Sequence, residues 1–302
     1  MIKSLFAIEL PLVKTDKELE KIKQIYSQYD PYFIVSGCCK ERREIFDRLW
    51  KNYQSYADSH FLNQIRTNFH QRSWEMYIGN VLLKKGLIIQ SKNKGPDFVI
   101  DKTAYVECVA PTKGDPAKHD SVPEMHVATK LEEIHVQDVP VDKMVLRITQ
   151  AIKDKALDQY GNWRNKELVD LKTPFIIAVN TGDFGHVENP SMPNVVKALF
   201  GFQFMEINIK TGATSFSHRD KIEKTNGKPV SVNYFVDNNF SFVSGVLFSD
   251  KTILDHPENI GDDCIFVNNP FAEYPVNNEF SKLFKGWFAS KDHTGIHLKK
   301  GY

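Results

Sequence analysis

Between Gly95 and Pro111 the chain reads GPDFVIDKTAYVECVAP, two strand-like runs joined by a polar turn, and each run carries one carboxylate, Asp97 or Glu107. Side chains alternate faces along a strand, so Glu107 and Val109 share one face while Val106, Cys108 and Ala110 share the other. Both faces are apolar apart from Glu107. A buried carboxylate without a partner is costly, and is normally neutral, paired or metal-bound. The stretch therefore asks for a hairpin inside a covered sheet and for positive charge beside it.

The turn decides whether the two acids meet. A three-residue loop, Asp101 to Thr103, pairs Ile100 with Ala104 and sets Asp97 opposite Glu107, with Cβ atoms about 4.5–5.5 Å apart. A two-residue loop would send them to opposite faces, and it lacks the Gly or Asn that such loops favour. The odd loop is expected. Two like charges so close repel unless a cation lies between them. Oxygen ligands of this kind suit Mg²⁺, which keeps several waters and takes one or two carboxylates.

Upstream, KERREIFDRLWKNYQSYADSHFLNQI carries Ile45, Leu49, Tyr53 and Tyr56 at helical spacing, and RSWEMYIGNVLLKKGL places Trp74, Tyr77, Ile78, Val81 and Leu82 on one apolar face before Gly86. The first 90 residues read as mainly helix. Downstream, VDKMVLRITQAIKDKALDQY has a stripe of Met144, Val145, Ile148, Ala151 and Ile152, and TPFIIAVN is a continuous apolar run suited to the middle of a sheet covered on both faces. After Phe202 the runs FQFMEINI, SVNYFV, FSFVSGVLFS and CIFVNNP read as strands between Gly, Asn and Asp turns. The expected fold is α/β, a mixed central sheet flanked by helices, with a helical N-terminal addition over residues 1–70 and the α/β domain over 71–302.

The order of these residues resembles the PD-(D/E)XK nuclease superfamily, in which a helix with an acidic residue precedes a hairpin whose first strand begins Pro-Asp and whose second carries Glu-x-Lys. The likeness runs over roughly residues 70 to 180, and also touches, less specifically, bacterial members of that superfamily with a WEMY…GPDF…E-x-V-x-P core. It implies a restriction-endonuclease-like core with Glu75 as the helix acid and Asp97 and Glu107 as ligands of Mg²⁺ or Mn²⁺. It also implies a nuclease that hydrolyses phosphodiester bonds, with DNA ahead of RNA as its nucleic-acid partner. The chain departs from the pattern at Val109, where the family has lysine. That lysine positions water and meets developing negative charge, which an aliphatic side chain cannot do. Either the cation comes from elsewhere or the fold binds nucleic acid or protein without cutting. Lys94 and Lys113 flank the hairpin, but the helix after Pro140 is the favoured source. Its polar face bears Lys143, Arg147, Gln150 and Asp154. Arg147 and Lys153 are the expected phosphate-facing cations.

With 39 Lys and Arg against 38 Asp and Glu, the formal charge of +1 supplies no global basic field, so an anionic partner would have to meet a local patch. The four cysteines form no Cys-x-x-Cys pair and are too sparse for a disulfide framework, which fits a reducing, cytoplasmic setting. No apolar run approaches the roughly 20 residues that span a bilayer. His119, His126 and His135 lack zinc-ligand spacing, Cys108 reads as a core cysteine, and NTGDFG reads as a turn.

Overall fold

The computed structural model describes residues 4–6, 10–91, 94–101, 103–125, 136–186, 188–212 and 214–301. Five helices come first: α1 (Asp16–Ile25), α2 (Pro31–Cys38), α3 (Lys40–Tyr53), α4 (Phe61–Gln64) and α5 (Phe69–Lys84). Local chemistry starts them. Thr15 and Glu18 form a reciprocal capping box at α1. Asp30 caps α2 by accepting from the Tyr32 amide at 2.8 Å, and its second oxygen accepts from the Phe69 amide at 3.1 Å, tying α2 to the start of α5. α5 is buried around most of its circumference, Trp74, Ile78 and Val81 included, and stops where Gly86 turns left-handed at φ 79°.

The hairpin and its neighbours follow: β1 (Ile89–Gln90), β2 (Phe98–Ile100), β3 (Ala104–Val109), α6 (Val141–Lys153), a π-helical segment (Asp154–Gln159), α7 (Tyr160–Asn165) and β4 (Phe175–Asn180). The rest of the chain adds α8 (Asn194–Phe200), β5 (Phe202–Ile207), β6 (Thr214–His218), β7 (Lys221–Glu223), β8 (Pro229–Ser231), β9 (Gly245–Ser249), β10 (Ile265–Asn268), α9 (Asn278–Ser281), β11 (Lys285–Asp292) and β12 (Gly295–Gly301). Among the described residues eight strands form one mixed sheet in the order β1-β2-β3-β4-β9-β10-β11-β12. β1, β2 and β3 are an antiparallel meander, and β3, β4 and β9 run parallel.

Helices cover both faces of this sheet, as expected of its apolar runs. One core joins the N-terminal helices and α5 to Phe98, Val106, Cys108 and Ala178; the other joins α6 and α8 to Tyr105, Ile177 and Val246. β4, the TPFIIAVN run, is buried at every position and lies between β3 and β9. Two expectations shift. FQFMEINI is a strand but pairs with β6 in a separate two-stranded ribbon. In SVNYFV only Ser231 is strand: past it the backbone leaves the ladder, and the Phe235 amide bonds the Leu199 carbonyl at 2.8 Å while its ring is buried under α8. Among the described residues no helix is long and apolar enough to cross a membrane.

Candidate functional site

β2 and β3 pair in the register Phe98 with Val106, Val99 with Tyr105 and Ile100 with Ala104. Continuing that register brings Asp97 opposite Glu107, as the odd loop requires. The two are laced together. The Asp97 amide donates to Glu107 Oε2 at 3.2 Å, and the Cys108 amide donates to Asp97 Oδ2 at 2.8 Å. Glu107 is only 1% exposed and Asp97 is half-buried at the open end of the hairpin. Asp97 Oδ1 accepts no hydrogen bond among the described residues.

By strand parity Glu107 faces the α6 side of the sheet together with Tyr105 and Val109. From that side Lys155 reaches in, its Nζ 2.6 Å from Glu107 Oε1. Lys155 lies in the π-helical segment that continues α6. The positive charge beside Glu107 thus comes from the segment that continues the helix after Pro140, and from none of the residues expected on that helix. Arg147 donates from Nε to the Thr112 carbonyl at 2.8 Å, fastening α6 to the chain after β3. Lys153 is exposed and lines a separate cavity with Lys224 and Lys228. Lys113 pairs with Glu124 at 2.5 Å, and Lys94 is exposed.

Glu75 comes from the other face of the sheet. It is 1% exposed on α5 and accepts from Tyr53 Oη at 2.7 Å and from Arg72 Nη1. Arg72 also binds Asp58 at 2.9 Å and Gln64, so its charge is divided between two carboxylates. One turn earlier on α5, Gln71 clamps the end of β3, donating to the Cys108 carbonyl and accepting from the Ala110 amide, both at 2.9 Å. Sequence reasoning passed over Gln71 and Arg72. Both lie on the same helix as Glu75, three and four residues before it, a spacing that points them to the same side.

Electrostatics couple the three acids. Burial and then the charge of Asp97 push Glu107 up to about 8, against the pull of Lys155. Burial and Asp97 push Glu75 up to about 7, against Arg72 and Tyr53. Asp97 is also raised, chiefly by burial, with Lys155, the Cys108 amide and Arg72 opposing. Burial alone would lower Lys155, but Glu107 and Asp97 outweigh it and its pKa is raised. With a single lysine beside the two acids, burial and mutual repulsion outweigh the attraction, and both carboxyls stay above their ordinary range. Cys108 is fully buried with its thiol pushed well above the usual range, first by burial and then by Asp97, which makes it a core residue rather than a nucleophile.

Among the described residues no group of three or more His, Cys, Asp and Glu side chains gathers closely enough to hold a metal. A divalent ion at the hairpin would rest on Asp97 Oδ1, Glu107 and water, a donor set of hard oxygens that Mg²⁺ tolerates. His119 is exposed, and His126 and His135 lie outside the described residues. The TGDFG turn places Asp183 Oδ1 2.8 Å from His70 Nε2, beside the ring of Tyr32. The sequence matches no model of a known protein family, and no curated protein or solved structure matches it either.

Proposed function

We propose that the chain is a metal-dependent nuclease of the PD-(D/E)XK superfamily, with a restriction-endonuclease-like core, hydrolysing phosphodiester bonds in DNA ahead of RNA. The observation that carries this reading is Lys155 Nζ at 2.6 Å from Glu107 Oε1. It returns to the Asp97–Glu107 pair the cation that Val109 withholds, from the helix following the core strands. The acidic helix before the hairpin, with Glu75 facing inward, supports the same reading.

Asp97 and Glu107 would hold Mg²⁺ or Mn²⁺, which supplies a polarised phosphate and a water of lowered pKa when bound. The protein's own groups do the rest. Lys155 stabilises negative charge developing on the phosphate, in a site where burial strengthens the interaction. Asp97 and Glu107 would hold the ion in their ionised forms, which a nearby positive charge favours against the upward push of burial. Glu75 acts through Tyr53 and Arg72, fixing α5 and through Gln71 the end of β3.

A second reading from another class has its own observation. Glu107 is almost fully buried, and both its oxygens already have partners, the Asp97 amide and Lys155. That arrangement also suits a nuclease-like fold that binds nucleic acid or protein without cutting. Assays on single- and double-stranded DNA and RNA with Mg²⁺ and Mn²⁺ separate the two. Cleavage by the parent, reduced by about 10²–10³-fold in Lys155→Ala and lost in Asp97→Ala, supports the enzyme. Binding without cleavage by the parent supports the module.

A further inference from the structure

On another face of the helix that delivers Lys155, a cavity of about 500 Å³ opens between α6, the π-helical segment and the β7–β8 hairpin. Three lysines line it: Lys153 at the end of α6, and Lys224 and Lys228 at the two ends of the hairpin turn. The turn is fixed by its own backbone, since the Lys224 amide donates to the Lys228 carbonyl at 2.9 Å and the Gly227 amide to the Lys224 carbonyl at 2.8 Å. It is fastened from outside as well, the Thr225 amide donating to Asp120 Oδ1 at 2.9 Å. Like charges at facing positions of a hairpin repel, yet none of the three lysines has an ion-pair partner among the described residues. The cavity's one acid, Asp237, is occupied at both oxygens by Asn239, at 2.8 and 2.7 Å. Leu157 and Tyr234 add apolar surface to the wall.

We infer that this cavity is a second anion site, which takes the backbone phosphates of a nucleic-acid strand whose neighbouring segment lies at the Asp97–Glu107 pair. The inference rests on the nuclease or nucleic-acid-binding reading of that pair and adds the path of the strand. Lys153 and Lys155 are two residues apart on one helix but turn to different sides, Lys153 to the cavity and Lys155 to Glu107. A strand crossing the helix meets Lys155 first and then the three lysines. The near-neutral total charge of the chain makes such a concentrated patch the means of holding a polyanion.

The test is binding of a fluorescent 20-nucleotide single strand, and of the same sequence as duplex, in EDTA so that nothing is cut, as a function of salt. Lys224→Ala/Lys228→Ala is compared with the parent and with Lys17→Ala/Lys21→Ala, an equal loss of charge on exposed positions of α1. Both hairpin substitutions spare the backbone bonds of the turn. The expected result is at least tenfold weaker binding by the hairpin variant alone, with the slope of log affinity against log salt shallower by about 2 for duplex or somewhat less for single strand. If parent and hairpin variant bind with equal affinity and slope, the cavity is not a phosphate site, and the reading of the carboxylate pair stands untouched. If the parent binds neither form, the inference also falls, and the nuclease reading is then judged separately by whether Mn²⁺ raises the melting temperature of the parent and not of Asp97→Ala.

Discussion

Lys155 stands beside two carboxylates that burial would otherwise hold protonated, and its removal exposes how the charge is balanced. With Met at that position the pair loses the cation that reaches Glu107 from the α6 face. At pH 8 the loss of a buried partner should cost about 3–5 kcal/mol, and at pH 5, where the carboxyls take protons, much less. Urea unfolding at the two pH values measures the difference, and an equal loss at both would mean Lys155 acts by packing alone. The parent has its own pH signature. Glu107 at about 8 and Glu75 at about 7 lie above the ordinary carboxyl value of 4.5, so between pH 4.5 and about 8 the folded chain retains protons that the unfolded chain releases. Stability contributed by these groups is full below about 4.5 and falls as pH rises through that window. Glu107→Gln should flatten the fall by one proton's worth. A parent whose melting temperature rises from pH 5 to pH 8 in EDTA would contradict the raised pKa values.

At the scale of elements, the hairpin was readable because strand parity and loop length are discrete: once the loop has three residues, Asp97 must oppose Glu107. The helix after Pro140 was readable as the source of charge, whereas the residue was not. Its polar face runs through Lys143, Arg147, Gln150 and Asp154. Lys155, three residues after Ile152 and seven after Ile148, falls on the apolar stripe of an α-helix. A lysine on a buried stripe was the available signal, and the π-helical winding from Asp154 onward carries that side chain to Glu107. α5 holds a comparable detail at Gly79. A Cβ there would stand 2.6 Å from Tyr53 Cδ2 and Cε2 and 3.3 Å from Phe98 Cζ. Tyr53 is fully buried between Trp50, Phe61 and Phe98, so the ring has nowhere to retreat. Gly79→Ala should destabilise by about 1–3 kcal/mol and pull Tyr53 Oη from Glu75. Tyr53→Phe loses that bond without the clash, and the pair of urea midpoints separates the two effects. A Gly79→Ala midpoint equal to the parent's would show that the approach is not tight.

For the whole molecule the sheet divides the core in two, and the acids are gathered where its two sides meet at the end of the β2–β3 hairpin. Glu75 belongs to the α5 side and Lys155 to the α6 side, while Asp97, at the strand's first turn, is felt by both. Metal binding at that point should therefore stabilise the fold as a unit rather than a single loop. An ion that binds only the native chain, present at 100 times its dissociation constant, contributes about 2.7 kcal/mol. For a chain of 302 residues that corresponds to a rise in melting temperature of roughly 4 °C. Asp97→Ala should abolish the rise, because it removes Oδ1, the one oxygen of these three acids that accepts no hydrogen bond among the described residues. It should also lower the pKa of Glu107 and Glu75, since Asp97 raises both, and so leave the metal-free variant no less stable than its parent at pH 8. Melts of both proteins with and without Mn²⁺ at that pH test the pair of expectations together. An identical metal-induced rise in both would place the ion elsewhere. A rise confined to the parent, with a metal-free Asp97→Ala that melts far below it, would show instead that Asp97 is needed to hold the Cys108 amide and the hairpin, and that its charge is a smaller burden than its hydrogen bond is a support.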